Sequence, residues 1–195
     1  MRRKILFVLS GMLLFGAGRA AAQAWDAPYY VPPAVTPGLG IYLMDVAGGD
    51  LGVGLTWRPR AGSFGLRAGI AETPVNDIGV FGGIDFSGPI TRSNYNFPLD
   101  VDWVFGAGLG VSDYVLVTVP LGVTLGHTFH GQGASFTPYL TPRVSLDAAF
   151  NNGNSDADLA LTVDFGLDLR FSQRFLVRFG AAMGDHEALG IGLVF

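Results

Sequence analysis

Cysteine is absent from this 195-residue sequence. That excludes disulfides, thiolate metal sites and a cysteine nucleophile. Charge is scarce as well. Asp, Glu, Lys and Arg make up 14% of the residues against 49% hydrophobic ones, well below the quarter usual in globular domains, so a soluble surface would be hard to cover. Beyond the N-terminus no run of ~20 apolar residues exists to form a membrane-spanning helix. Lysine occurs only as Lys4, and glutamate only as Glu72 and Glu187.

What is there begins with a targeting segment. Arg2, Arg3 and Lys4 precede a short apolar core from Ile5 to Phe15, and Ala22-Gln23-Ala24 is a small-x-small site. This pattern predicts a secretory signal peptide, residues 1–24, cleaved after Ala24. The remaining chain holds eight Arg, no Lys and sixteen acids, a formal charge of −8, which argues against nucleic acid as a partner. Residues 25–36, WDAPYYVPPAVT, are proline-rich without periodicity and read as an extended arm.

From residue 37 to 195 the period is two. In DLALTVDFGLDLRF, Leu159, Leu161, Val163, Phe165, Leu167, Leu169 and Phe171 alternate with small or polar residues. That places one strand face in an apolar medium and the other in a polar one. The same test predicts ten strands, at 38–46, 50–58, 63–72, 77–87, 99–111, 114–129, 135–149, 158–171, 174–184 and 187–195, with eight as the alternative count. Short turn-forming connections predict an antiparallel up-and-down meander. Pro120, Pro138 and Pro142 fall inside candidate strands, where each removes a ladder donor and predicts a bulge or a broken strand.

The polar face is rich in glycine and carries Arg67, Asp85, Asp100, Asp102, Arg143, Asp147, Asp164, Asp168, Arg170 and Arg178. Short acids and arginines among glycines suit a confined lumen in which charges must pair. The other face is Leu, Val, Ile and Phe. A sheet in lipid must close so that no backbone group is left unpaired, so the prediction is an all-β transmembrane barrel. Trp57, Phe64, Phe86, Phe129, Phe136, Phe171, Phe175 and Phe195 all fall at one set of strand ends, as a single interfacial aromatic belt. Arg58, Arg60, Arg92 and Arg174 lie at that same, periplasmic end. Acids such as Asp45, Asp50, Asp77, Asp113, Asp156 and Asp158 lie at or near the other.

The signal peptide, the meander and a last strand ending in Phe resemble the bacterial outer-membrane β-barrel proteins, especially the small OmpA- or OmpX-like barrels. The resemblance is one of architecture and covers the chain after the signal. It implies outer-membrane lipid as the surroundings, and barrel-assembly machinery and periplasmic chaperones as partners during biogenesis. It also implies that Leu189, Gly190, Ile191, Leu193 and Phe195 act as the assembly signal. The sequence departs from the family in its short outer turns and in having its longest connection, 88–98, at the periplasmic end.

Chemistry is thinly provided for. His127 and His130 lie at the periplasmic end, away from outer-leaflet lipid. His186 lies at the outer rim in Asp185-His186-Glu187, a conceivable weak divalent-ion site, with Ser112 in another outer turn. No phosphate-binding glycine motif is present. The expectation is no cofactor, no metal and no catalysis. The barrel would serve a structural or envelope-interaction role with a largely filled, charged lumen. The alternatives are a narrow porin-like channel and a lipid A-modifying hydrolase.

Overall fold

The computed structural model describes residues 28–33, 36–46, 51–60, 63–72, 78–151, 154–172 and 175–195. The signal segment, residues 25–27 of the arm, Asp50, Asp77 and Arg174 lie outside the described residues. The strands are β1 (Gly38–Val46), β2 (Leu51–Arg58), β3 (Phe64–Glu72), β4 (Ile78–Thr91), β5 (Asp100–Val111), β6 (Val115–Gly126), β7 (Phe129–His130), β8 (Ser135–Asn151), β9 (Asn154–Arg170), β10 (Leu176–Gly184) and β11 (Ala188–Val194). The two-residue β7 pairs with β8 in the register that β6 already holds, so it continues β6 after a break at 127–128. The wall therefore has ten strands. All pairings are antiparallel, β1 pairs with β11, and β6 with β8 completes the closed barrel. The alternative of eight strands is excluded.

Period-two patterning accounts for the wall. In β9, Ala160, Thr162, Asp164 and Asp168 are buried, while Leu159, Leu161 and Phe165 are exposed on the outside. The same alternation in β2 buries Gly52 and Gly54 and exposes Leu51, Val53, Leu55 and Trp57. A one-residue slip would turn these outward leucines inward, so burial of one face holds the register.

The three internal prolines do not shift that register. The β5–β6 ladder is interrupted opposite Pro120, and the β6–β8 ladder opposite Pro142. The break between β6 and β7 lies opposite Pro138, whose carbonyl still accepts from the His127 N–H at 3.3 Å. A residue in an antiparallel strand directs its N–H to one neighbour only, so each proline costs one bond on one side while the other ladder runs on. Beside Pro142 a hydroxyl pair substitutes, Thr141 Oγ1 donating to Thr124 Oγ1 at 2.9 Å.

Two connections differ from expectation. The first four residues of 88–98 are strand, since β4 runs on to Thr91, paired Gly88 to Trp103 and Pro89 to Asp102, with an irregularity between Pro89 and Thr91. The missing proline N–H explains the shift there. At the opposite rim the β8–β9 hairpin is longer than the sequence suggested. β9 begins at Asn154, whereas its pairing with β10 begins only at Thr162, so residues 154–159 stand exposed on both faces.

Candidate functional site: the barrel interior

Side chains that the alternation turns inward meet along the wall as discrete pairs between neighbouring or next-but-one strands. Arg143 Nε donates to Asp164 Oδ2 at 2.7 Å and its Nη2 to Oδ1 at 3.3 Å. Arg178 makes a fork to Asp168, Nε and Nη2 each donating at 2.6 Å. Arg58 pairs with Asp85, both buried. Asp147 accepts from Thr118 and lies 2.9 Å from His186 Nε2. Asp102 is bound by Arg92 of the β4–β5 connection, and that hydrogen bond raises the Arg92 pKa above its ordinary value. Bidentate arginine–carboxylate geometry is what a low-dielectric interior requires of charges.

The remaining predicted lumen charges find other partners. Asp100 accepts from the Ser93 N–H at 3.0 Å, and Arg170 donates to the Thr36 hydroxyl at 2.6 Å. Arg67 stacks over the Tyr29 ring, 4.3 Å from its centroid, and its Nε is buried without a hydrogen-bond partner. Arg58 is a lumen residue that the sequence reading left at the rim. The signal was available, because Arg58 continues the inward parity of Gly52, Gly54 and Thr56.

The arm occupies the lumen. Pro28, Tyr29, Val31 and Pro32 are almost fully buried, and Tyr30 is 8% exposed. The Tyr29 N–H donates to Asp164 Oδ1 at 3.1 Å, and Arg178 Nη1 donates to the Tyr30 carbonyl at 3.3 Å. Val31 N–H returns to the Tyr29 carbonyl at 2.7 Å, a γ-turn that points the two rings apart. Tyr30 stacks on Tyr42, centroids 4.2 Å apart. The Tyr29 hydroxyl abuts Gly106 of β5 and the Tyr30 hydroxyl abuts Gly190 of β11. In the closed order β5 and β11 are five strands apart either way round, so the two tyrosines together span a diameter of the barrel.

The inward glycines now have a use. A Cβ at Gly106 or Gly190 would overlap a tyrosine hydroxyl, and one at Gly126 would lie 2.9 Å from Pro33 Cγ. Gly166 makes the same room for Tyr139. Interior packing is completed by Tyr42, Met44, Phe81, Leu116, Leu176 and Val194.

On the outside, Trp57, Phe129, Phe136, Phe171, Phe175 and Phe195 are exposed, with Phe64 and Phe86 half-buried among neighbours. Phe129 stacks on Phe136 at 4.8 Å, and Trp57 meets Phe64 edge-on at 6.1 Å. At the seam the Phe195 N–H donates to the Leu39 carbonyl at 2.9 Å and its carbonyl accepts from the Leu39 N–H at 2.8 Å. Gly38 allows this approach. At its φ of 149° any Cβ would stand 2.6 Å from the Phe195 carbonyl oxygen. The predicted assembly residues Leu189, Gly190, Ile191 and Leu193 all lie in β11, paired with β1 on one side and β10 on the other.

The histidines do not converge. His127 packs edge-on against Phe129 at 4.7 Å, and His130 is exposed opposite Ser135. His186 turns to Asp147 while Asp185 Oδ2 accepts from the Leu161 N–H at 2.7 Å. Asp185 and His186 thus turn to different partners. Among the described residues no three His, Asp or Glu side chains are placed to share a metal ion.

A closed barrel with an apolar exterior that carries exposed aromatics and a polar interior is the architecture of the outer-membrane β-barrels. No protein-family model and no curated protein matches the chain. Solved structures similar to it include a de novo designed transmembrane β-barrel, 17% identical over 83% of this chain and 97% of that one, with a TM-score of 0.34. The KdgM porin is 10% identical over 81% and 98% of the two chains, with a TM-score of 0.35. The outer membrane protein Omp33 of Acinetobacter baumannii is 7% identical over 82% and 97%, with a TM-score of 0.33.

Proposed function

We propose that this chain, freed of residues 1–24, resides in the bacterial outer membrane as a barrel occluded at rest, with a structural or envelope-interaction role rather than open solute passage. One observation carries the reading: Tyr29 and Tyr30 reach opposite walls across the full bore. Three ion pairs among the inward Arg and Asp residues narrow the interior further, and Arg92 of the β4–β5 connection binds the inward Asp102. Support for the membrane setting comes from leucine, isoleucine and phenylalanine exposed on every wall strand, which lipid stabilises and water does not. In this reading barrel-assembly machinery and periplasmic chaperones handle the chain through β11. The role involves no cofactor and no catalysis. Purified protein in planar bilayers should pass no steady current. A steady current from the unaltered chain would refute occlusion and favour the porin-like alternative.

A further inference from the structure

Resting on the occluded reading, the interior has a further property. The ion pairs of the wall form without the arm. Arg143 with Asp164, and Arg178 with Asp168, are two-pronged pairs between wall strands. All ten strands are laddered to each other, and residues 28–33 join none of them. Among the described residues the arm's backbone makes two bonds to wall side chains, from the Tyr29 N–H and to the Tyr30 carbonyl. Both tyrosine hydroxyls are buried without a partner, so the rings are seated by shape and stacking alone. Removing the arm breaks none of the wall's ion pairs; it uncovers Arg67, which then exchanges the Tyr29 ring for water, and it frees two hydroxyls to be hydrated.

We propose that the barrel interior is a binding site for an extended tyrosine- and proline-containing peptide segment, and that Pro28–Pro33 is its resident occupant, a plug able to leave and return. The chemistry of the seat defines the ligand. Asp164 takes a backbone N–H and Arg178 a backbone carbonyl. Arg67 and Tyr42 each take an aromatic face, at 4.3 Å and 4.2 Å between centres. Gly106, Gly180 and Gly190 leave the hollows. Proline suits such a ligand because it forms no ladder with the wall and is already extended.

The test uses the full chain, whose lack of native cysteine makes single thiols unambiguous. Val31, 2% exposed, is changed to Val31→Cys, and the barrel is folded into phospholipid vesicles and treated with a membrane-impermeant maleimide. Heat-modifiable gel mobility of the same samples reports that the barrel is folded. Adding Tyr30→Ala, which removes the stack on Tyr42, should speed modification about tenfold. A synthetic Pro-Tyr-Tyr-Val-Pro-Pro peptide, at about the millimolar effective concentration of a short tether, should also speed it by keeping the arm out. That arm of the experiment needs no destabilising substitution. A separate variant, Pro28→Cys with Gly180→Cys and Tyr30→Ala, sets the new Cβ atoms 2.9 Å apart, so the arm moves out by less than about 1 Å to reach the roughly 3.5–4.5 Å of a disulfide. Oxidised, it should be as silent in bilayers as the unaltered chain; reduced, it should conduct about tenfold more. A Val31→Cys thiol indifferent to both Tyr30→Ala and the peptide would overturn the proposal. So would reduction without a rise in conductance. Neither result is the same as conductance by the unaltered chain, which would count against the occluded reading instead.

Discussion

Two stretches that meet the same rim of the barrel end in opposite places. Residues 188–195 form a wall strand, bonded on both sides and bare to the outside. Residues 28–33 run inside, buried and laddered to no strand. The difference lies in pattern rather than in hydrophobicity. ALGIGLVF alternates, so a strand can present Leu189, Ile191, Leu193 and Phe195 to lipid and its glycines to the lumen. PYYVPP has no period, and its prolines cannot contribute ladder donors. The wall is held by backbone bonds and paired charges, and the plug by shape.

That contrast can be broken most directly through the charge pairs. Asp168→Ala leaves Arg178 buried and unpaired, and should cost about 3–5 kcal/mol of barrel stability in urea unfolding from vesicles. If Tyr29→Ala cost more, the wall would depend on the arm and the two regions would not be separable. Ile191→Arg, on the outer face of β11, should cost about 2–4 kcal/mol at mid-membrane depth; a neutral result would mean that this face does not meet lipid. Deleting Phe195 removes both seam bonds to Leu39, worth about 1 kcal/mol each. Folding yield into the outer membrane should fall more than for any single change in an outer turn, and normal insertion of the truncated chain would refute the assembly role of β11. The smallest effect is expected at the exposed tip of the β8–β9 hairpin. Asp158→Asn should stay within about 0.5 kcal/mol, and a larger loss would show that the tip carries structure beyond its pairing with β8.

Strand number and the order of faces were legible because each is written at a spacing of two residues or one hairpin. The ten strands appear within a few residues of where alternation puts them, apart from β4 and the start of β9. Both overruns involve residues whose outward and inward positions are equally polar or small, such as Ser87–Pro89 and Asn154–Asp158, where alternation carries no information. The internal prolines misled toward bulges, because nothing local says which neighbour a given N–H would face. Arg58 was missed because it sits against a turn, where polar residues have an ordinary explanation.

Alternation and turn chemistry in the chain were enough to specify a closed barrel with lipid outside and charge inside, since lipid admits no other arrangement for strands of this pattern. Only the tertiary structure decided which acid meets which arginine, and that Pro28–Pro33 fills the bore. Tyr29 and Asp164 are 135 residues apart, and Arg178 and Tyr30 are 148 apart. No local period encodes contacts at that separation. They exist because closure of the sheet brings opposite walls within reach of one short segment, and because glycines on β5, β10 and β11 leave space for its rings.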